Sequence, residues 1–158
     1  MIVGIDPGMS GAIAFLSVSG VLVEVIDMPV TAVMIGKTKR RQLMPAVLAK
    51  TLATRKITMA MIEEVGTRPG EGAVGAFSFG RGFGQIEGVL AGLGISYAMV
   101  RPQKWKKALD LPANKSAARM YACRVWPGAA EMFARVKDDG RAEAALIGLY
   151  AAKSMKLN

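Results

Sequence analysis

Six of the twelve acidic residues in this chain of 158 fall in three places: Asp6, the pair Glu63 and Glu64, and the group Asp138, Asp139 and Glu143. Asp6 closes the apolar run "MIVGID" and is followed at once by Pro7 and Gly8, while Glu63 closes a second run, "ITMAMIE". Asp139 and Glu143 lie four apart, so they project from one face of a helix. Carboxylates that converge repel one another unless a cation lies between them. Hard divalent ions take oxygen ligands, and Mg²⁺ is held by one or two carboxylates together with substrate phosphate. Two such ions about 4 Å apart clamp the attacking and leaving oxygens of a phosphodiester displacement and lower the pKa of the attacking water.

What the chain lacks narrows the chemistry further. It has no histidine and one cysteine, Cys123, which excludes an internal disulfide, zinc sites built from Cys and His, and the Ser-His-Asp and Cys-His nucleophile systems. An enzyme with this composition runs on carboxylates, lysines or a metal-activated water. Each acid also has an ordinary structural reading. Asp6 before Pro-Gly is a common turn residue, and of Glu63 and Glu64 only one can face a site, because neighbours in a strand point to opposite sides. Asp138 and Asp139 suit a helix start through capping and the helix dipole.

The elements that would position these acids follow from the hydrophobic pattern. Residues 1–6, 11–18 and 20–29 read as a three-stranded meander, with turns at Pro7-Gly8 and Gly20 and a stop at Pro29. "KTKRR" (37–41) reads as a basic loop, 42–54 as a helix and 56–65 as a buried strand ending in the glutamates. The glycine-heavy segment 66–94 reads as a loop leading into a helix with Phe79, Phe83, Ile86, Leu90 and Leu93 at helical spacing. A strand at 95–100, short basic helices at 103–109 and 114–126, the second capped by Asn114, and an amphipathic helix at 138–155 complete the chain. This order predicts one α/β domain over 1–158, a mixed sheet with helices on its faces, in which the first and fourth strands can be neighbours.

Lys and Arg outnumber Asp and Glu 21 to 12, a net charge of +9 that points to a polyanionic partner, nucleic acid before an anionic membrane. No uninterrupted apolar run reaches the roughly 18–20 residues of a spanning helix. The N-terminus does not read as a signal peptide, so a cytoplasmic location is expected. Gly80, Gly82 and Gly84 do not form a dinucleotide fingerprint, because the spacing is wrong and no strand directly precedes them; helix packing on the sheet or on a partner subunit accounts better for small residues there.

The strings "GIDPGMSGAIAF", "AMIEEV", "FGRGFGQIEGVLAGLGISYAMVRPQKWKKAL", "NKSAAR" and "DDGRAEAALIGLYAA" resemble, in order over nearly the whole chain, the RuvC-type Holliday junction resolvases, in particular their short phage-borne branch. The resemblance implies a ribonuclease H-like fold with helices on both faces of a mixed sheet. It also implies a homodimer that cuts opposed strands of four-way and other branched DNA with Mg²⁺ or Mn²⁺, two ions per site, in a bacterial or phage-infected cytoplasm, without a membrane or a small-molecule cofactor. By position, Asp6 and Glu63 match family carboxylates. Family members place their last two acids three residues apart, and that spacing from Glu143 falls on Gly140, so Asp139 and Glu143 are the expected pair with Asp138 as the alternative ligand. Lys106 and Lys115 match lysines near the scissile phosphate, whereas Trp105 is expected to pack its short helix. Candidate DNA contacts are Lys37, Lys39, Arg40 and Arg41 in the basic loop, Arg68 and Arg81, with Phe77 or Phe79, around the glycine-rich segment, and Lys104 and Lys107 beside Lys106. Two other readings compete: a non-catalytic binder of branched DNA with the same fold, and an actin-like or sugar-kinase-type phosphate-binding domain suggested by "GIDPGMSG". For the latter, 158 residues leave no room for the second nucleotide-binding half.

Overall fold

Continuous apolar runs mark strands buried on both faces, and the two most central strands have that character. In the computed structural model, which describes residues 1–66, 70, 72–112, 114 and 116–155, β1 (Ile2–Asp6) and β2 (Ala12–Leu16) are buried along nearly their whole length. With β3 (Leu22–Asp27), β6 (Met59–Glu63) and β7 (Tyr97–Val100) they form a five-stranded sheet in the order β3-β2-β1-β6-β7. The meander β1-β2-β3 is antiparallel, whereas β6 runs parallel to β1 and β7 parallel to β6. The first strand and the glutamate-bearing strand are therefore neighbours, as the sequence pattern allows.

A second, two-stranded sheet replaces the expected basic loop. β4 (Val30–Ile35) and β5 (Thr38–Leu43) pair antiparallel with Ile35 opposite Thr38, and Gly36, with φ +61°, and Lys37 make the tight turn. Glycine at the first of two hairpin-turn positions supplies the positive φ that such a turn needs. The helix after it, α1 (Pro45–Ala53), consequently starts three residues later than 42, with Pro45 in its first turn.

Helices cover both faces of the main sheet. α1 and α2 (Ala73–Gly92) bury Leu48, Leu52, Ile86 and Leu90 against Val3, Ile5, Ile13, Phe15, Ala60 and Ile62. On the other face α3 (Pro102–Ala108), α4 (Ala117–Val125) and α5 (Asp139–Met155) pack on Ile2, Ala12, Ala14, Leu16 and Met61. A 3-10 segment at Pro127–Phe133 and a shorter one at Val136–Asp138 join α4 to α5.

Two sequence expectations about helices fail locally. Asn114 does not cap α4: Ser116 occupies the cap position without a side-chain cap bond, and its Oγ donates to Asn114 Oδ1 at 3.1 Å. Nor is α5 amphipathic. It is buried nearly all round from Gly140 to Ala152, wedged between the sheet and α4, as a helix apolar on every side must be. Small residues make that wedge possible. A Cβ on Gly4 would stand 2.1 Å from the Ala144 carbonyl oxygen, and one on Gly148 would stand 2.3 Å from Leu16 Cδ1, so the α5 backbone lies directly on β1.

Candidate active site

Strand alternation decides which acids meet. Residues two apart share a face, so Asp6 points to the side of Ile2 and Gly4, and Glu63 to the side of Met61, which is the α5 side. Ile5 pairs with Ile62 across β1 and β6, which sets the next residues, Asp6 and Glu63, side by side at the strand ends. Glu64 falls to the other side, where its carboxylate accepts from Arg101 Nε at 3.3 Å.

α5 brings the remaining acids down onto this edge. Gly140, Ala144 and Gly148 form the ridge that runs along β1, and a Cβ at Gly140 would stand 2.5 Å from the Ser10 carbonyl oxygen and 3.0 Å from Asp6 Oδ2. No side chain fits there. Acids at 139 and 143, one turn apart, flank the glycine instead, which accounts for a spacing of four where three would put a carboxylate into the β1–β2 turn. Asp6, Glu63, Asp139 and Glu143 all line one cavity of about 610 Å³, together with Ser10, Arg41 and Lys137.

The electrostatics are uneven. Burial pushes the Asp6 carboxyl up to about 7, and the nearby carboxylates Glu143 and Glu63 add to the rise, against the 3.2 Å hydrogen bond from the Gly8 amide and the charge of Lys106. Glu63 is 7% exposed and accepts a 2.9 Å hydrogen bond from Trp105 Nε1. Lys106 Nζ donates to Glu143 Oε1 at 2.8 Å while lying 5.0 Å from the Trp105 ring centroid. Arg119 Nε donates to Asp139 Oδ1 at 2.5 Å. Lys106, Glu63 and Glu143 also line a neighbouring cleft of about 570 Å³.

Asp138 is placed differently. It is 1% exposed and absent from the cavity wall; its Oδ2 accepts from the Arg135 amide and Nε, both at 3.0 Å, and its Oδ1 accepts from Arg135 Nη2 at 2.9 Å. These bonds hold its pKa down to about 2 against the effect of burial. Arg141, whose Nη1 lies 3.8 Å from Asp138 Oδ1, forks onto Asp27 at the end of β3 with bonds of 2.6 and 2.7 Å. The chain Arg135-Asp138-Arg141-Asp27 thus ties the start of α5 to the sheet and leaves Asp139 and Glu143 to the cavity.

An all-oxygen set of four carboxylates, one of them raised to about 7 by burial and by its neighbours, suits a hard divalent cation, whose charge would favour the ionised form. Among the described residues no three acidic, histidine or cysteine side chains stand close enough to form a ready ligand group. Lys106 and Arg119 hold Glu143 and Asp139, so a cation would take over two carboxylates from two protein cations.

Of the basic residues singled out in the sequence, Lys37, Lys39, Arg40 and Arg41 lie on the β4–β5 hairpin, Arg81 is exposed on α2, and Lys104 and Lys107 are exposed on α3. Phe77 is 73% exposed on α2, whereas Phe79 lines the cavity. Lys115 and Arg68 lie outside the described residues. Sequence reasoning missed the hydrogen bond from Trp105 to Glu63, for which the signal was an indole N–H that needs an acceptor once its helix is buried. Arg119 carried no such signal.

No family model matches the chain, and no curated protein sequence matches it. Among the solved structures similar to the chain are two that match over nearly its full length. One is the Thermus thermophilus RuvC in complex with a Holliday junction substrate, with TM-score 0.66, 16% identity, and 99% of this chain and 95% of that one covered. The other is a Thermus thermophilus RuvC structure with TM-score 0.60, 17% identity and the same coverage. This chain has the ribonuclease H-like α/β fold of the RuvC Holliday junction resolvase structures.

Proposed function

We propose that this protein is a divalent-metal-dependent endonuclease that resolves branched DNA, four-way junctions above all, by paired phosphodiester hydrolysis. The observation that carries the reading is the meeting of Asp6, Glu63, Asp139 and Glu143, far apart in sequence, in one cavity of a chain with net charge +9. The similar structure that holds a Holliday junction supports the choice of substrate.

The four carboxylates would hold Mg²⁺ or Mn²⁺, two ions per site. Bound there, such ions supply a lowered pKa for the attacking water and a counter-charge for the phosphoryl oxygens. The protein's own part is positional. Trp105 fixes the Glu63 carboxylate, Gly140 lets α5 come close enough to set Glu143 beside Asp6, and Lys106 stands ready to face negative charge developing on the phosphate once Glu143 turns to a cation. Lys115, by its place in the sequence, would join it.

A homodimer suits a substrate with near two-fold symmetry, because each subunit then presents one site to one of two opposed strands. α2 offers a face for it. Gly80, Gly84, Gly88 and Gly92 recur every four residues with open space where each Cβ would be, and Val74 and Phe77, 59% and 73% exposed, continue the surface. The β4–β5 hairpin, Arg68, Arg81, Lys104 and Lys107 would carry phosphate contacts, making affinity salt-dependent.

The test is cleavage of labelled four-way, three-way and linear DNA with Mg²⁺, Mn²⁺ and Ca²⁺ in parallel. Paired nicking of the four-way junction by the wild type, abolished in Asp6→Asn, is the expected result, and full activity of that variant removes the mechanism. The engagement of Glu63, Glu143 and Asp139 by Trp105, Lys106 and Arg119 favours one competing reading, a junction binder that does not cut. Calorimetry that finds no divalent binding at millimolar metal would select it.

A further inference from the structure

The β4–β5 hairpin delivers one side chain into the carboxylate cavity. Positions 39, 41 and 43 share a face of β5, and Leu43, at the end of that face, is buried in the core beside Ile13 and Phe15. Arg41 accordingly turns over the β1–β2 turn, where its Nη2 donates a 2.8 Å hydrogen bond to Ser10 Oγ. Both residues line the cavity that holds Asp6, Glu63, Asp139 and Glu143.

Five other arginines are matched to a carboxylate: Arg55 to Glu24, Arg101 to Glu64, Arg119 to Asp139, Arg135 to Asp138 and Arg141 to Asp27. Arg41 is bound instead to a neutral hydroxyl and, among the described residues, pairs with no carboxylate although four of them share its cavity. A guanidinium has five N–H donors in a planar fork, so one bond to a hydroxyl fixes its direction and leaves most of its donors for an anion. Lys106 reaches Glu143 from the neighbouring cleft, which Glu63 also lines. Lys106 and Lys137 present point charges to these acids and Arg119 is already bonded to Asp139, so among the described residues Arg41 is the guanidinium of the cavity without a carboxylate partner, and its fork can grip two oxygens of one phosphate.

We infer that Arg41 is a substrate-contacting residue that forks onto a phosphodiester of the DNA strand lying in the cavity, with Ser10 holding the fork in place. The inference rests on the nuclease reading of the same cavity. It separates Arg41 from Lys37, Lys39 and Arg40, which attract the backbone without fixing its register.

The test is a binding cycle with the full chain and four-way junctions without divalent metal, each junction carrying a single charge-neutral methylphosphonate at successive positions along one strand. The wild type loses about tenfold in affinity at one position, in line with one charge-assisted contact, and Arg41→Ala loses less than about twofold there. Lys39→Ala weakens binding about threefold while keeping the wild-type positional pattern. In single-turnover cleavage at saturating protein with Mg²⁺, both Arg41→Ala and Arg41→Lys slow the cut by about 10- to 100-fold, because a misplaced strand forfeits orientation. An Arg41→Ala protein with the wild-type methylphosphonate pattern and the wild-type saturated rate overturns the inference. Wild-type protein that binds with the expected pattern but cuts nothing overturns the nuclease reading and upholds the contact; failure to bind junctions at all overturns both.

Discussion

Gly140 lies against Asp6 so closely that a Cβ at that position would stand 3.0 Å from Asp6 Oδ2. Backbone of the β1–β2 turn crowds the same spot, with the Ser10 carbonyl oxygen at 2.5 Å, so the conflict cannot be relieved by turning a flexible side chain away. Gly140→Ala should destabilise the protein by about 1–3 kcal/mol, the usual range for overpacking, as measured by urea denaturation. It should also lower junction cleavage, because the start of α5 carries Asp139 and Glu143 away from the strand ends.

Asp6 should make stability fall as pH rises. Its carboxyl is raised in the fold from 3.8 to about 7. Between those values the unfolded chain has already released the proton that the folded one still holds, so folding weakens through that window. In metal-free buffer, Asp6→Asn should therefore match the wild type near pH 4 and exceed its melting temperature increasingly toward pH 7, with the difference levelling off above that, while cleavage is lost. A melting-temperature difference that does not change with pH would contradict the buried, unneutralised carboxyl.

Trp105→Phe keeps most of the buried ring volume and removes the N–H that reaches Glu63. The loss of one hydrogen bond to a buried charged group should cost about 1.5–3 kcal/mol of stability. Cleavage should fall with it, and thermal melts of Trp105→Phe in the Glu63→Gln background should show a smaller loss than in the wild type, since the bond then goes to a neutral acceptor.

Asp138 should act on stability and Asp139 on chemistry. The Asp138 pKa is lowered from 3.8 to about 2, so its contribution is fully present above 3.8 and disappears as pH falls toward 2. Asp138→Asn should destabilise at neutral pH by about 1–3 kcal/mol through its lost bonds to Arg135, with the difference from wild type vanishing near pH 2. Asp139→Asn should instead leave the melting temperature within a few degrees and abolish divalent binding in titration calorimetry.

The α2 glycines should report on association. Gly84→Leu places a branched side chain into open space on a helix surface, so the isolated subunit should fold as before and gain helix propensity of up to about 1 kcal/mol. Sedimentation should nevertheless find the variant monomeric at concentrations where the wild type is a dimer, and paired nicking should give way to single nicks.

The strands of the main sheet were legible because β1, β2 and β6 are buried runs with few alternatives, and the neighbourhood of Asp6 and Glu63 followed from that order. The hairpin was not. β5 reads "TKRRQL", polar on both faces until Leu43, and it is held by its ladder to β4 rather than by a core of its own. Its signal lay in the turn, where "IGKT" places glycine between two strand ends. The placement of Asp139 and Glu143 was readable from helical spacing, but the reason for it was not: that Gly140 touches Asp6 is a fact of how α5 lies on β1. Partner choice was equally hidden, since nothing in the spacing tells which of the arginines meets a carboxylate and which meets Ser10.

The helix that rests on Gly4 is both keystone and donor of two acids. A chain cut short before residue 139 keeps Asp6 and Glu63 in its sequence but loses the segment that fills the space above β1 and β2. The same seventeen residues, Asp139–Met155, thus supply both the packing on this face of the sheet and two of the four carboxylates of the cavity, so loss of that segment removes both at once.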